Sequence, residues 1–165
     1  MEIWDIGHST RAEDEFIALL KEHRIEAVAD VRRFPSSKKF PHFSRDHLEK
    51  ALKKNSIEYI WLGKELGGFR KGGYQQWMRT QEFASGIKRL IRLASQKRIA
   101  IMCAEADHAR CHRKHIISHF EHKGWTVHHI PSTILGPLKG LFEINNLISG
   151  CQWREIEKTD KKSKI

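Results

Sequence analysis

Short apolar segments alternate with helix-period segments along most of this chain, and that alternation constrains the fold more than any other feature. Glu2 to Ile6 reads as an apolar strand that breaks at Gly7-His8-Ser9. Glu13 to Arg24 carries Phe16, Ile17, Leu19 and Leu20 at helical spacing. Ile25 to Val31 is a second strand, apolar enough for burial in a parallel sheet. Ser44 is placed to cap a helix with Leu48, Ala51 and Leu52 on its inner face, and Ile57 to Leu62 is a third strand. Thr80 caps the longest helix, striped with Phe83, Ile87, Leu90, Ile91 and Ala94. Ile99 to Cys103 is a fourth strand, Arg110 to Lys123 a helix closed by Gly124, and Thr126 to Ile130 a fifth strand. A last helix is expected over Leu138 to Ile148. The pattern predicts an α/β fold: one domain over residues 1–150, built on a mainly parallel five-stranded sheet with helices packed on it. Residues 151–165, with Lys158, Lys161, Lys162 and Lys164, read as a basic, disordered tail.

In a parallel sheet, ligands bind beyond the carboxyl ends of the strands. Those ends hold Gly7-His8-Ser9, Asp30-Val31-Arg32-Arg33, the glycine-rich stretch after Gly63, Cys103-Ala104-Glu105 and His128-His129. The opposite edge holds ordinary loop residues such as Arg24, Asn55-Ser56 and Lys97-Arg98. The asymmetry points to a polar pocket on one edge.

Charge narrows the partner. Thirty Lys and Arg against twenty Asp and Glu give a formal +10, part of it inside the fold at Arg32-Arg33, Lys38-Lys39 and Arg70-Lys71. Such a field concentrates polyanions, nucleic acid first among them; basicity that only aids solubility is the plainer alternative. No apolar run reaches a membrane span, the opening Met1-Glu2-Ile3-Trp4-Asp5 lacks a secretory pattern, and three widely spaced cysteines do not suggest disulfides. A cytoplasmic protein with no membrane partner is expected, its oligomeric state open.

Several residues have two readings. Asp30, flanked by cations, stays ionised to steady a positive charge or orient a water, or else forms an ion pair with Arg32 or Arg113. Glu105 serves as a general acid or base, or sits at a helix N-terminus. Cys103 and Cys111 invite thiol chemistry, but six residues separate Cys103 from Arg110 where a phosphatase loop has five, so buried small hydrophobes are the simpler reading. His108, His112, His115 and His119 share one stripe if their helix starts early, yet no second ligand group at zinc spacing accompanies them, and neither metal nor cofactor is expected. The proline-stiffened loop from Arg32 to Phe43 interleaves cations with Phe34, Phe40 and Phe43, suited to phosphates and unstacked bases, unless Phe34 and Phe43 pack inward. Gly67-Gly68 allow close approach to a ligand, and Tyr74 lines the same mouth or anchors the loop.

Five of these motifs, Gly7-His8-Ser9, Asp30-Val31-Arg32, Glu65-Leu66-Gly67-Gly68, Cys103-Ala104-Glu105 and Cys111-His112-Arg113, together resemble the "domain of unknown function 488" family, in order from about Glu2 to Ile130. The resemblance implies nucleic-acid work, including removal of damaged bases from DNA. Paired carboxylates are usual equipment for cleaving glycosidic bonds. The expectation is therefore a DNA glycosylase for a damaged base such as an oxidised pyrimidine. Asp30 and Glu105 would be its catalytic pair. Gly7, His8, Ser9, Arg33, Phe43, Gly67 and Gly68 would bind the substrate, with Tyr74, Cys103 and His112 around them. Arg32 and Arg113 would bind phosphate or fix the carboxylates. A thiol enzyme at Cys103 resembling rhodaneses or phosphatases, or a silent nucleic-acid-binding module, are the alternatives. DNA is favoured over RNA only through the resemblance.

Overall fold

The computed structural model describes residues 1–131. The expected helix over Leu138–Ile148 and the basic tail lie outside the described residues.

Five parallel strands form one sheet: β1 (Glu2–Gly7), β2 (Ala27–Asp30), β3 (Glu58–Trp61), β4 (Ile99–Cys103) and β5 (Thr126–His129), in the order β3-β2-β4-β1-β5. β4 sits in the middle and every residue of it is buried. Its run Ile-Ala-Ile-Met-Cys has no polar face because both faces are covered. The helices are α1 (Glu13–Glu22), α2 (Arg45–Lys54), α3 (Gly63–Leu66), α4 (Tyr74–Trp77), α5 (Gln81–Ala94) and α6 (Arg113–His122).

On one face of the sheet, Ile3, Ala29, Ile99 and Ile101 pack against Phe83, Ile87 and Leu90 of α5 and Ile116 and Phe120 of α6. Each of these large side chains contributes about 2 kcal/mol by leaving water. The alternate residues Ile6, Val28 and Met102 are buried on the other face, where Phe16, Leu19 and Leu20 of α1 and Leu48 and Leu52 of α2 are also buried.

Thr80 caps α5 as expected, its Oγ1 accepting from Phe83 N at 3.3 Å. Ser44 does not cap α2 with its side chain; its hydroxyl instead donates to Pro41 O, closing the short 3-10 turn Pro41–Phe43. Two short helices, α3 and α4, occupy the glycine-rich stretch from Gly63 onward. They are too brief to show a hydrophobic period. α6 begins at Arg113 rather than Arg110, because a 3-10 turn over His108–Arg110 precedes it, so the early start that would set His108 on one helical stripe with His112, His115 and His119 does not occur. Gly124 ends the helix in the left-handed conformation at φ 75°.

The topology places the site. β2 leads outward to β3 on one side, and β4 leads to β5 on the other. The switch point therefore lies between β2 and β4, and the crevice beyond their carboxyl ends is where such sheets hold ligands. Gly7 pairs with Cys103, and Asp30 with Met102, so the loops leaving β1, β2 and β4 start at nearly one level.

Candidate functional site

A pocket of about 720 Å³ opens at that switch point, within the size range of small-molecule sites. β1 brings His8 and Ser9 to it; the loop after β2 brings Arg32, Arg33, Phe34, Lys39 and Phe40. Gly68, Phe69 and Tyr74 enter from the loop after α3, and Cys103, Glu105, Arg110, Cys111 and His112 from the segment joining β4 to α6. Glu105 is the sole acid among these lining residues, against Arg32, Arg33, Lys39 and Arg110.

Behind the pocket wall lies a buried ionic group. Arg32 wraps back on Asp30, with Nε 2.9 Å from Oδ1 and Nη2 2.6 Å from Oδ2, while Tyr59 donates to Oδ2 at 2.7 Å and the Arg32 backbone N–H to Oδ1 at 2.9 Å. Asp30 is fully buried and lines no part of the pocket. This corrects the expectation that Asp30 meets the substrate: its oxygens are occupied by Arg32 and Tyr59, and it positions Arg32. Burial and then Asp30 push the Tyr59 hydroxyl up from its ordinary value.

The third corner of Arg32 donates to Phe43 O at 2.8 Å and to His8 Nε2 at 3.2 Å. A guanidinium only donates, so Nε2 of His8 carries a lone pair and its Nδ1–H donates to Ser9 O at 3.0 Å. Burial, then the Arg32 charge, holds this imidazole down to about 4. His8 is thus a neutral, fixed edge of the pocket. Its ring stacks on Phe43 at 4.2 Å, and Phe43 in turn meets Phe16 edge-on. Phe43 is wholly buried, correcting its assignment to substrate binding: the 3-10 turn folds it inward as core. Phe34 does the opposite and stays 65% exposed.

Arg113 also works from behind the wall. It is fully buried, pairs with Asp5 at 2.7 Å, and donates to the backbone carbonyl of Glu105. It shapes the loop after β4 and touches neither substrate space nor the Glu105 carboxylate. Asp5, an acid inside an apolar strand, escaped the sequence reading although its placement between Trp4 and Ile6 signalled a buried partner. Gly7 and Gly67 are packing positions too: a Cβ on Gly7 would lie 2.0 Å from Glu105 O, and one on Gly67 2.4 Å from Gly63 O. Gly68 does line the pocket, pressed against the His112 ring, where a Cβ would meet Nδ1 at 3.0 Å. Tyr74 donates its hydroxyl to Leu66 O at 2.7 Å and lays its ring near His112, so it both anchors its loop and walls the site. Phe69, unremarked in the sequence, is 91% exposed at the pocket.

Cys103 and Cys111 are free, buried thiols facing one another at the pocket floor. A hydrogen bond from Cys103 holds the Cys111 thiol well below the ordinary range, while the same pairing and burial push Cys103 up. Among the described residues no helix is long and apolar enough to cross a membrane.

The arrangement defines a parallel α/β protein with a basic pocket at its switch point. The sequence matches the family described as domain of unknown function DUF488 over residues 12–73 and 68–120, and the chain belongs to that family. No curated protein matches the chain.

Proposed function

We propose that this protein is a nucleic-acid-directed enzyme that excises a damaged base from DNA, with Glu105 as its catalytic carboxylate. The observation that carries the reading is the pairing of a cation-lined, single-acid pocket with two exposed phenylalanines, Phe34 and Phe69, at its opening. A base must leave the stack before its glycosidic bond can be reached. Phe34 and Phe69 fill the gap or stack on a neighbouring base, and Arg33, Lys39 and Arg110 hold the flanking phosphates. The extruded base lies against the His8 edge, Ser9 and Tyr74. As the N-glycosidic bond breaks, Glu105 steadies the oxocarbenium character at the sugar and takes a proton from the water that attacks it, while the base departs as an anion that solvent protonates. Asp30 and Arg113 act through others: Asp30 holds Arg32 and His8 in place, and Arg113 holds the loop that presents Glu105.

A panel of labelled oligonucleotides, each with one damaged base, tests the reading. Alkali-dependent strand cleavage at one lesion is the expected result. DNA retarded by the protein but left intact at every lesion turns the reading into a binding module. A small-nucleotide hydrolase is separated by salt, since only a polymer substrate gives a steep loss of binding with ionic strength.

A further inference from the structure

We propose that Cys103, Cys111 and His112 form a zinc site in the pocket floor, with one coordination position open to the pocket. Spacing alone does not announce it, because Cys103 ends a strand while Cys111 and His112 lie between a 3-10 turn and α6, and no spacing rule links them. The turn over His108–Arg110 brings them together.

Four observations carry the site. The Sγ atoms of Cys103 and Cys111 and a ring nitrogen of His112 all lie within 4.8 Å of one another. Cys111 Sγ and His112 Nδ1 are 3.5 Å apart. Zinc bound tetrahedrally at about 2.3 Å to sulfur and about 2.0–2.1 Å to nitrogen sets its sulfur and nitrogen ligands about 3.5–3.6 Å apart, which matches that separation. The His112 ring is already oriented as a ligand: Nε2 donates to Val31 O at 3.0 Å, which leaves the Nδ1 lone pair beside Cys111 Sγ. Metal-bound histidines commonly carry this second hydrogen bond, which fixes tautomer and ring plane. Gly68 lets the backbone lie against the same ring, where a Cβ would crowd Nδ1 at 3.0 Å.

The donor set is two thiolates and an imidazole, a soft set that selects zinc over magnesium or calcium. Three protein ligands with a fourth position free is the arrangement of zinc sites that bind a water or a substrate atom. All three residues line the pocket, so that fourth position opens into it. Both sulfurs bind as thiolates, so zinc uptake releases protons and binding weakens as pH falls.

Cobalt(II) is the probe, titrated into the full chain after chelation and reduction. One ion per chain should bind with the intense visible bands of a tetrahedral site and sulfur-to-metal absorption in the near ultraviolet, and zinc should abolish both. Cys111→Ala and His112→Ala should each weaken binding by at least about 100-fold, and Cys151→Ser should leave it unchanged. His112 is half-buried, so His112→Ala keeps the test informative if Cys111→Ala fails to fold. Weak octahedral spectra, binding that survives His112→Ala, or loss of the signal in Cys151→Ser overturns the site. A reduced chain that takes up no cobalt and joins Cys103 to Cys111 as a disulfide in air also overturns it, in favour of a redox pair. These readouts involve no DNA, so they stand or fall separately from base excision.

Discussion

Arg32 and Asp30 stand two residues apart yet form a closed, two-pronged pair, with Nη2 2.6 Å and Nε 2.9 Å from the two carboxylate oxygens. The pair is buried, and Arg32 spends its remaining nitrogen on His8 and on the carbonyl of Phe43. One strand-end ion pair thereby fixes the neutral edge of the pocket and the start of the basic loop together.

Removing one partner leaves the other charge buried and alone. Asp30→Asn should destabilise the fold by about 3–5 kcal/mol, while Tyr59→Phe, which removes one hydrogen bond, should cost about 1–2 kcal/mol. Urea unfolding checks both. An Asp30→Asn protein as stable as the parent contradicts the positioning role.

His8 predicts a pH dependence. Its folded value is held down to about 4, below the 6.5 of an ordinary histidine. Between these values the unfolded chain binds a proton that the folded chain refuses, so stability falls as pH drops from about 6.5 towards 4. The share due to His8 is about 1–3 kcal/mol. His8→Gln should lose less stability than the parent between pH 7 and pH 4.5, measured by urea unfolding at each pH. Equal losses would show that His8 is not held neutral by the fold.

Phe34 and Phe69 are exposed, and truncating them should move stability by less than about 0.5 kcal/mol. Each base-stacking contact is worth about 1–3 kcal/mol, so Phe34→Ala and Phe69→Ala should weaken DNA binding several-fold or more. Retention on a lesion-bearing oligonucleotide, beside the melting temperature, measures both. Unchanged binding in the double variant removes the aromatic wedge from the account.

The sheet was legible because its strands are short, mostly apolar runs punctuated by glycine, asparagine and charged turns, and because parallel sheets collect ligands at one edge. That logic found His8, Ser9, Arg33, Gly68, Tyr74, Glu105 and His112, which line the pocket. It could not tell a side chain facing the pocket from one folded behind it. Asp30, Arg113 and Phe43 carry the right chemistry at the right chain positions, but Arg32 turns back on Asp30, Asp5 captures Arg113, and a 3-10 turn buries Phe43. The thiol pair was hidden for a related reason. Cys103 and Cys111 meet only because a tight turn, invisible to helical periodicity, returns the chain across the end of β4.

The most direct test is single-turnover excision by Glu105→Gln, on the lesion that the parent protein cleaves. Glu105 is exposed and the exchange is isosteric, so folding and DNA retention should be unchanged. The account predicts a fall in the excision rate of at least about 100-fold. A Glu105→Gln protein that excises at the parent rate would contradict it, because no other carboxylate lines the pocket among the described residues.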